Sequence, residues 1–234
     1  CLSVGNLFAQ DANADKLREE GDAAMTAKNY PEVVAKYSEY LKLTNYEDES
    51  RVFNCAFAAY NAKKYDDAIK FYDMAIQKGY KTDDAYVGKA MSLRSQDKAA
   101  DFTATVEAGL KANAQNANLE KLLYAYCMKK GQAAQKAGKT EEAEELFKDV
   151  LVVGNAKYKG NALYSLGVMF YNAGAKILAD ANPIATSDPD KYAAEKKKAD
   201  AQMAKAKGYL EQAIALNAAD ANSKKILDAI NAAK

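Results

Sequence analysis

The sequence predicts an all-α protein built from repeated helix pairs, and three observations lead there. Only three prolines, Pro31, Pro183 and Pro189, interrupt the 234 residues, and the long stretches between them are rich in Ala, Lys, Glu and Leu, which favour helix over strand. Apolar residues make up 49% of the chain and charged ones 28%, a composition that folds rather than staying disordered. The third observation is internal repetition. Gly21, Tyr30, Val33, Tyr37, Tyr40 and Leu41 recur as Ala56, Tyr65, Ala68, Tyr72, Ala75 and Ile76 at a constant offset of 35 residues.

Further copies extend the register. Ala90, Phe102, Val106, Gly109 and Leu110 occupy the same sites in a third, and Gly131, Ala143, Phe147, Val150 and Leu151 in a fourth. The segments Lys63–Ile76 and Gly138–Phe147 carry the pattern most clearly: a short polar turn, then a helix with Ala, aromatic and aliphatic residues on one face. This resembles the tetratricopeptide repeat, two antiparallel helices recurring about every 34 residues, over roughly Ala14 to Ala218. The resemblance implies a right-handed α-α superhelix of about five helix pairs with a C-terminal capping helix. The third repeat departs most, with Phe102 where the family prefers alanine, and a looser pairing is expected there.

The physical basis is close approach. Small residues at 21, 56, 90, 131 and 167 let helix axes meet, and Tyr37, Tyr72, Val106, Phe147 and Leu210 fill the space beside them, since a larger side chain at the contact would push the axes apart. The small sites are 35, 34, 41 and 36 residues apart. The seven extra residues before Gly131 amount to about two helical turns and lengthen the helix from Leu119 through Gln135. In the fifth repeat the small and bulky sites, Gly167 and Leu210, are 43 apart instead of 16. Pro183 and Pro189 mark a turn inside the added segment. Two elongated helices over about 158–180 and 190–216 are therefore expected, with a hairpin insertion at about 174–205. Ile226, Leu227 and Ile230 mark the cap. Residues 11–234 read as a single repeat domain.

Residues 1–10 read differently. The apolar Leu2–Ala9 run gives way abruptly to polar sequence at Asp11, which fits the tail of a secretory signal cleaved near Ala9. Alternatively, Cys1 is the lipid-bearing first residue of a mature lipoprotein. Both readings place the protein in the exported fraction, periplasmic or associated with the outer membrane or cell surface. No later stretch approaches the ~20 apolar residues of a transmembrane span.

Histidine is absent, which removes the commonest general base, the commonest zinc ligand and any Ser-His or Cys-His pair. No catalytic residues, metal ligands or cofactors are expected. Basic and acidic side chains nearly cancel, 33 against 32, so no nucleic-acid partner is expected. Cys55 and Cys127 fall on apolar faces and read as buried small hydrophobes, with a disulfide between them as the minority reading. Six lysines from Lys191 to Lys207 make the late hairpin basic, read as a solvated face, with contact to anionic lipid or an acidic partner as the alternative.

In the family that this pattern resembles, first helices line a concave groove that holds a protein or peptide. That implies a groove lined by Phe53, Phe57, Tyr60 and Asn61 in repeat two, by Val87, Met91 and Arg94 in repeat three, and by Tyr164, Val168, Tyr171 and Asn172 in repeat five. Tyr-Asn-Ala occurs at both 60–62 and 171–173; asparagine can pair with a peptide backbone, and aromatic rings offer large contact area. Phe53, Phe57 and Tyr60 at i, i+4 and i+7 equally describe a core stripe. A subfamily grips C-terminal carboxylates with lysines and asparagines, but the first-repeat sites here carry Arg18 and Asp22, which do not fit that use. The expected function is a non-enzymatic scaffold or adaptor of the bacterial cell envelope, with a self-assembling, homo-oligomeric structural subunit as the alternative.

Overall fold

The computed structural model describes residues 4–232, with side chains from Asp11 onward. Cys1, the candidate lipid-bearing residue, and the side chains of Leu7–Ala9, the candidate signal remnant, lie outside the described residues. The described chain is helical, as the composition predicts. In order the helices are α1 (Val4–Thr26), α2 (Tyr30–Leu43), α3 (Glu49–Asn61), α4 (Tyr65–Gln77), α5 (Thr82–Ser95), α6 (Ala99–Ala112), α7 (Ala117–Lys136), α8 (Thr140–Asp149), α9 (Ala156–Ala181), α10 (Pro189–Leu216) and α11 (Ala221–Ala232). No helix among the described residues is long and apolar enough to cross a membrane. Two compact units divide between Leu119 and Glu120, inside α7.

The turn within each of the first four pairs has one recurring geometry. Lys28, Lys63 and Asp97 follow α1, α3 and α5 with φ of 55°, 59° and 56°, and Gly138 follows α7 with φ of 75°. In each case this residue's amide and the next one's reach back to the last helical turn. Lys28 N donates to Met25 O and Asn29 N to Ala24 O; Lys63 N to Tyr60 O and Lys64 N to Ala59 O; Asp97 N to Arg94 O and Lys98 N to Leu93 O; Gly138 N to Gln135 O and Lys139 N to Ala134 O. These bonds close carbonyls that a helix end otherwise leaves open. The repeat is thus a repeated backbone conformation as well as a repeated side-chain pattern.

In the first unit, α1 packs on α2, α3 on α4 and α5 on α6, and each pair also meets the next. Leu41, Val52, Cys55, Ala56, Ala68, Ala90, Phe102 and Val106 are fully buried. Phe102 of α6 belongs to the core, and α5 and α6 pack less extensively than α1 with α2 or α3 with α4, in line with the looser pairing expected there. The Tyr37 ring lies so close to Gly21 that a Cβ there would overlap it, as the register expects. Tyr72 shows a second use of the same device: its ring crosses Gly88 in α5, the first helix of the following pair. Leu119 likewise crowds Gly109 at the end of α6.

In the second unit, Phe147 of α8 presses on Gly131 of α7, where a Cβ would stand 2.6 Å from the ring. The α9 and α10 helices have 26 and 28 residues and pack along their length. Gly167 meets Leu210 and Gly174 meets Met203; seven residues forward on α9 correspond to seven back on α10, so the two run antiparallel. Asp188 caps α10 by accepting from Lys191 N, with Pro189 in its first turn. That placement suits a residue with fixed φ and no amide hydrogen. Asp220 caps α11 through Ser223 N and Ser223 Oγ, and Ile230 buries that helix's apolar face.

Candidate functional site

None of the proposed groove residues is buried. Phe53, Tyr60, Val87, Met91 and Arg94 are half-buried in the first unit, and Phe57 and Asn61 are exposed. In the second unit Tyr164, Val168 and Tyr171 are half-buried and Asn172 is exposed. The opposite face of α3 supplies Val52, Cys55, Ala56 and Ala59, all fully buried. Small residues thus face the neighbouring helices and leave the larger rings on the outer side.

Those rings are braced against one another. Phe57, 43% exposed, meets the edge of Tyr30 with ring centres 5.9 Å apart. Phe53 stands edge-on to Tyr72 at 5.7 Å and to Tyr80 at 6.2 Å. Tyr60 leans on Tyr65 at 5.8 Å. Such edge-on pairs fix ring orientation and add roughly 0.5–1.5 kcal/mol each beyond area burial. A braced, exposed ring loses little side-chain freedom when another surface covers it. Asn61 gives an amide hydrogen to Phe57 O at 2.8 Å, so its side chain is tied to its own helix rather than left fully open.

An electrostatic network that the sequence does not reveal flanks α3. Asp22 of α1 accepts from Arg51 Nη2 at 2.8 Å, Arg51 Nε at 3.3 Å and Tyr37 Oη at 2.5 Å. Arg51 also reaches Asp48, which accepts from Tyr40 Oη at 3.0 Å. Burial alone would raise the Asp22 pKa, but hydrogen bonds from Arg51 and Tyr37 outweigh it and hold the carboxyl below its usual range. Burial and the same carboxylate push the Tyr37 hydroxyl upward. Asp22 and Arg51 are 29 residues apart on different helices, and no local pattern announces the pairing.

In the second unit Tyr164 lines an open hollow of about 480 Å³ with Lys157, Gly160 and Asn161 of α9, Ala213 and Leu216 of α10, and Asn217 and Asp220 of the following turn. Nearby, Asn161 donates to Tyr124 Oη at 2.8 Å, and the Tyr124 and Tyr158 rings stack at 4.3 Å. Glu120, nearly buried, accepts from the amides of Gly154 and Asn155 and so fixes the turn that leads into α9. Three of the six lysines of the basic run have carboxylate partners on α10, Lys196 with Asp200, Lys198 with Glu195 and Lys207 with Glu211, while Lys205 lies over the Phe170 ring. Cys55 and Cys127 are buried free thiols, both pushed up to about 12 by burial. The described residues hold no cluster of His, Cys, Asp and Glu able to bind a metal ion.

No family model matches the chain. A TPR repeats protein from Bacteroides fragilis, solved by crystallography, is 44% identical; the match covers 94% of this chain and 99% of that one, with a TM-score of 0.88. The Hsp70-Hsp90 organizing protein 1 of Glycine max is 30% identical over 154 residues, 62% of this chain. The match spans about a quarter of that protein's length, 26%. Proteins with tetratricopeptide repeats mediate protein–protein interactions. The near-complete match to the Bacteroides fragilis structure, together with the helix pairs and their recurring turns, shows that this chain belongs to the tetratricopeptide repeat proteins.

Proposed function

We propose that this chain is a non-enzymatic adaptor of the bacterial cell envelope that holds a protein partner in the concave groove lined by its first helices. The observation that carries the reading is the exposed Phe57 on α3, set beside Tyr30 and flanked on its helix by half-buried Phe53 and Tyr60. Large braced rings on a rigid helix are the residues that most often dominate a protein interface. The change from the mostly apolar Leu2–Ala9 to polar sequence at Asp11 supports an exported location. Asp22 already fills Arg51 with an internal carboxylate, which supports a partner other than an acidic chain terminus.

Affinity capture from the native envelope fraction tests this. Proteins retained by the wild type should be lost with the Phe57→Ala/Tyr60→Ala variant, which should still unfold cooperatively from an intact helical fold, with a Tm lowered by the loss of its two ring pairs. Equal retention by both would remove the first helices from the interface. Recovery of the native protein from the cytoplasmic fraction alone would overturn the envelope location.

Val152, 51% exposed, and Leu216, 40% exposed, favour self-association of the second unit as a second reading. Light scattering decides: a mass that rises with concentration supports it, and a monomer at every concentration refutes it.

A further inference from the structure

We infer that the first unit binds a cationic side chain of its partner on the Phe53–Tyr80 ring pair, a site that its own Lys81 occupies in the free protein. The inference rests on the adaptor reading above and specifies the partner's chemistry. Lys81 Nζ stands 5.1 Å from the Phe53 ring centre and 5.8 Å from that of Tyr80, within the distance at which the negative face of a ring attracts an ammonium. The two rings meet edge-on at 6.2 Å, and Tyr72 backs Phe53 from another side at 5.7 Å. Tyr72 is itself buried and locked over Gly88. Phe53 is therefore held from behind by the core and Tyr80 rests edge-on against it, while Lys81 in front is exposed.

Two further features favour a cation. Residues up to Leu119 carry 18 acidic side chains against 15 basic ones, whereas the remainder carries 14 against 18, so the first unit has a formal excess of negative charge and the second of positive. The helices beside the rings also open with acids, Glu49 one turn before Phe53 on α3, and Asp83 and Asp84 in the first turn of α5, two and three residues after Lys81. An intramolecular lysine on a preformed ring pair acts as a placeholder. It keeps the rings covered, and a partner's lysine or arginine can displace it at little cost because the leaving ammonium returns to water.

The test uses the full chain and two peptides, acetyl-Ala-Ala-Lys-Ala-Ala-amide and its norleucine counterpart, which keeps the stem and lacks the charge. Ring-proton shifts of Phe53 and Tyr80 report binding by NMR. In Lys81→Gln the lysine peptide should give saturable shifts with an apparent affinity about three-fold or more above that for wild type, and the norleucine peptide should give none. Adding Phe53→Leu to Lys81→Gln should abolish the response while circular dichroism shows an intact helical fold. Equal shifts from both peptides, or no gain in Lys81→Gln, would overturn the proposal. Neither result bears on the capture experiment, so a failure here is distinguishable from a failure of the adaptor reading.

Discussion

Leu210 lies directly against the backbone of Gly167: a Cβ at position 167 would stand 2.6 Å from both Cδ2 and Cγ of Leu210. A side chain there must displace the Leu210 side chain or move α9 from α10. Gly167→Leu should therefore destabilise the protein by about 1–3 kcal/mol through overpacking, read as a lowered Tm. Leu210→Ala in the same chain should recover part of that loss, whereas an unchanged Tm for Gly167→Leu would contradict the register.

Gly208 offers the opposite case. It lies inside α10, and nothing lies within 4 Å of where its Cβ would be. Gly208→Ala should raise stability by roughly 0.5–1 kcal/mol, because alanine restricts the unfolded chain and suits a helix interior. Chemical denaturation with an unchanged slope and a higher midpoint checks this.

The recurring left-handed residue gives a matched set. Lys28, Lys63 and Asp97 hold φ near 55–59° with a Cβ present, and Gly138 holds 75° without one. Glycine at any of the first three should stabilise by up to about 1 kcal/mol, and Gly138→Ala should destabilise by a similar amount. A uniform loss across all four would show that the lysine and aspartate side chains matter more than their backbone.

Asp22 ties stability to acid pH. Its folded pKa lies below the ordinary value of 3.8, so its contribution is fully present above the unfolded pKa and is lost as pH falls through the folded one. Wild-type stability should therefore drop more steeply than that of Asp22→Asn as pH is lowered from about 5 toward 2. Parallel curves for the two proteins would remove Asp22 from the linkage.

Cys55 and Cys127 should resist alkylation near neutral pH, because burial pushes both thiols up to about 12 and the thiolate is the reactive form. Mass-spectrometric mapping should find both labelled only after denaturation. Labelling of either in the native protein would show that its helix opens readily.

The sequence shows the fold more fully than the site. Gly21 with Tyr37, Gly131 with Phe147 and Gly167 with Leu210 are legible because one small and one bulky residue recur at a fixed separation, or at that separation plus one insertion, and each pair meets as expected. Pro183 and Pro189 locate the turn between α9 and α10 for an equally local reason. Tyr72 on Gly88 is harder to see, since it joins successive pairs and Gly88 lies two residues before the expected small site Ala90. The Asp22–Arg51 pairing and the Glu120 clamp on Gly154 and Asn155 depend on how separate helices stand, which no spacing encodes. On α3 the same i, i+4, i+7 spacing suits a core stripe and an exposed one. The stripe divides: Phe57 is exposed, while Phe53 and Tyr60 are half-buried and pack against the core.

The most direct test of the account is calorimetry with the captured partner against two variants that remain folded. Phe57→Ala/Tyr60→Ala should weaken binding about ten-fold or more. Ala104→Glu, which places a charge in a separate hollow of the first unit lined by Ile69 and Asp73 of α4, Tyr86 of α5 and Ala104 and Ala108 of α6, should leave the affinity unchanged. Full affinity in the α3 variant together with loss in Ala104→Glu would contradict the account.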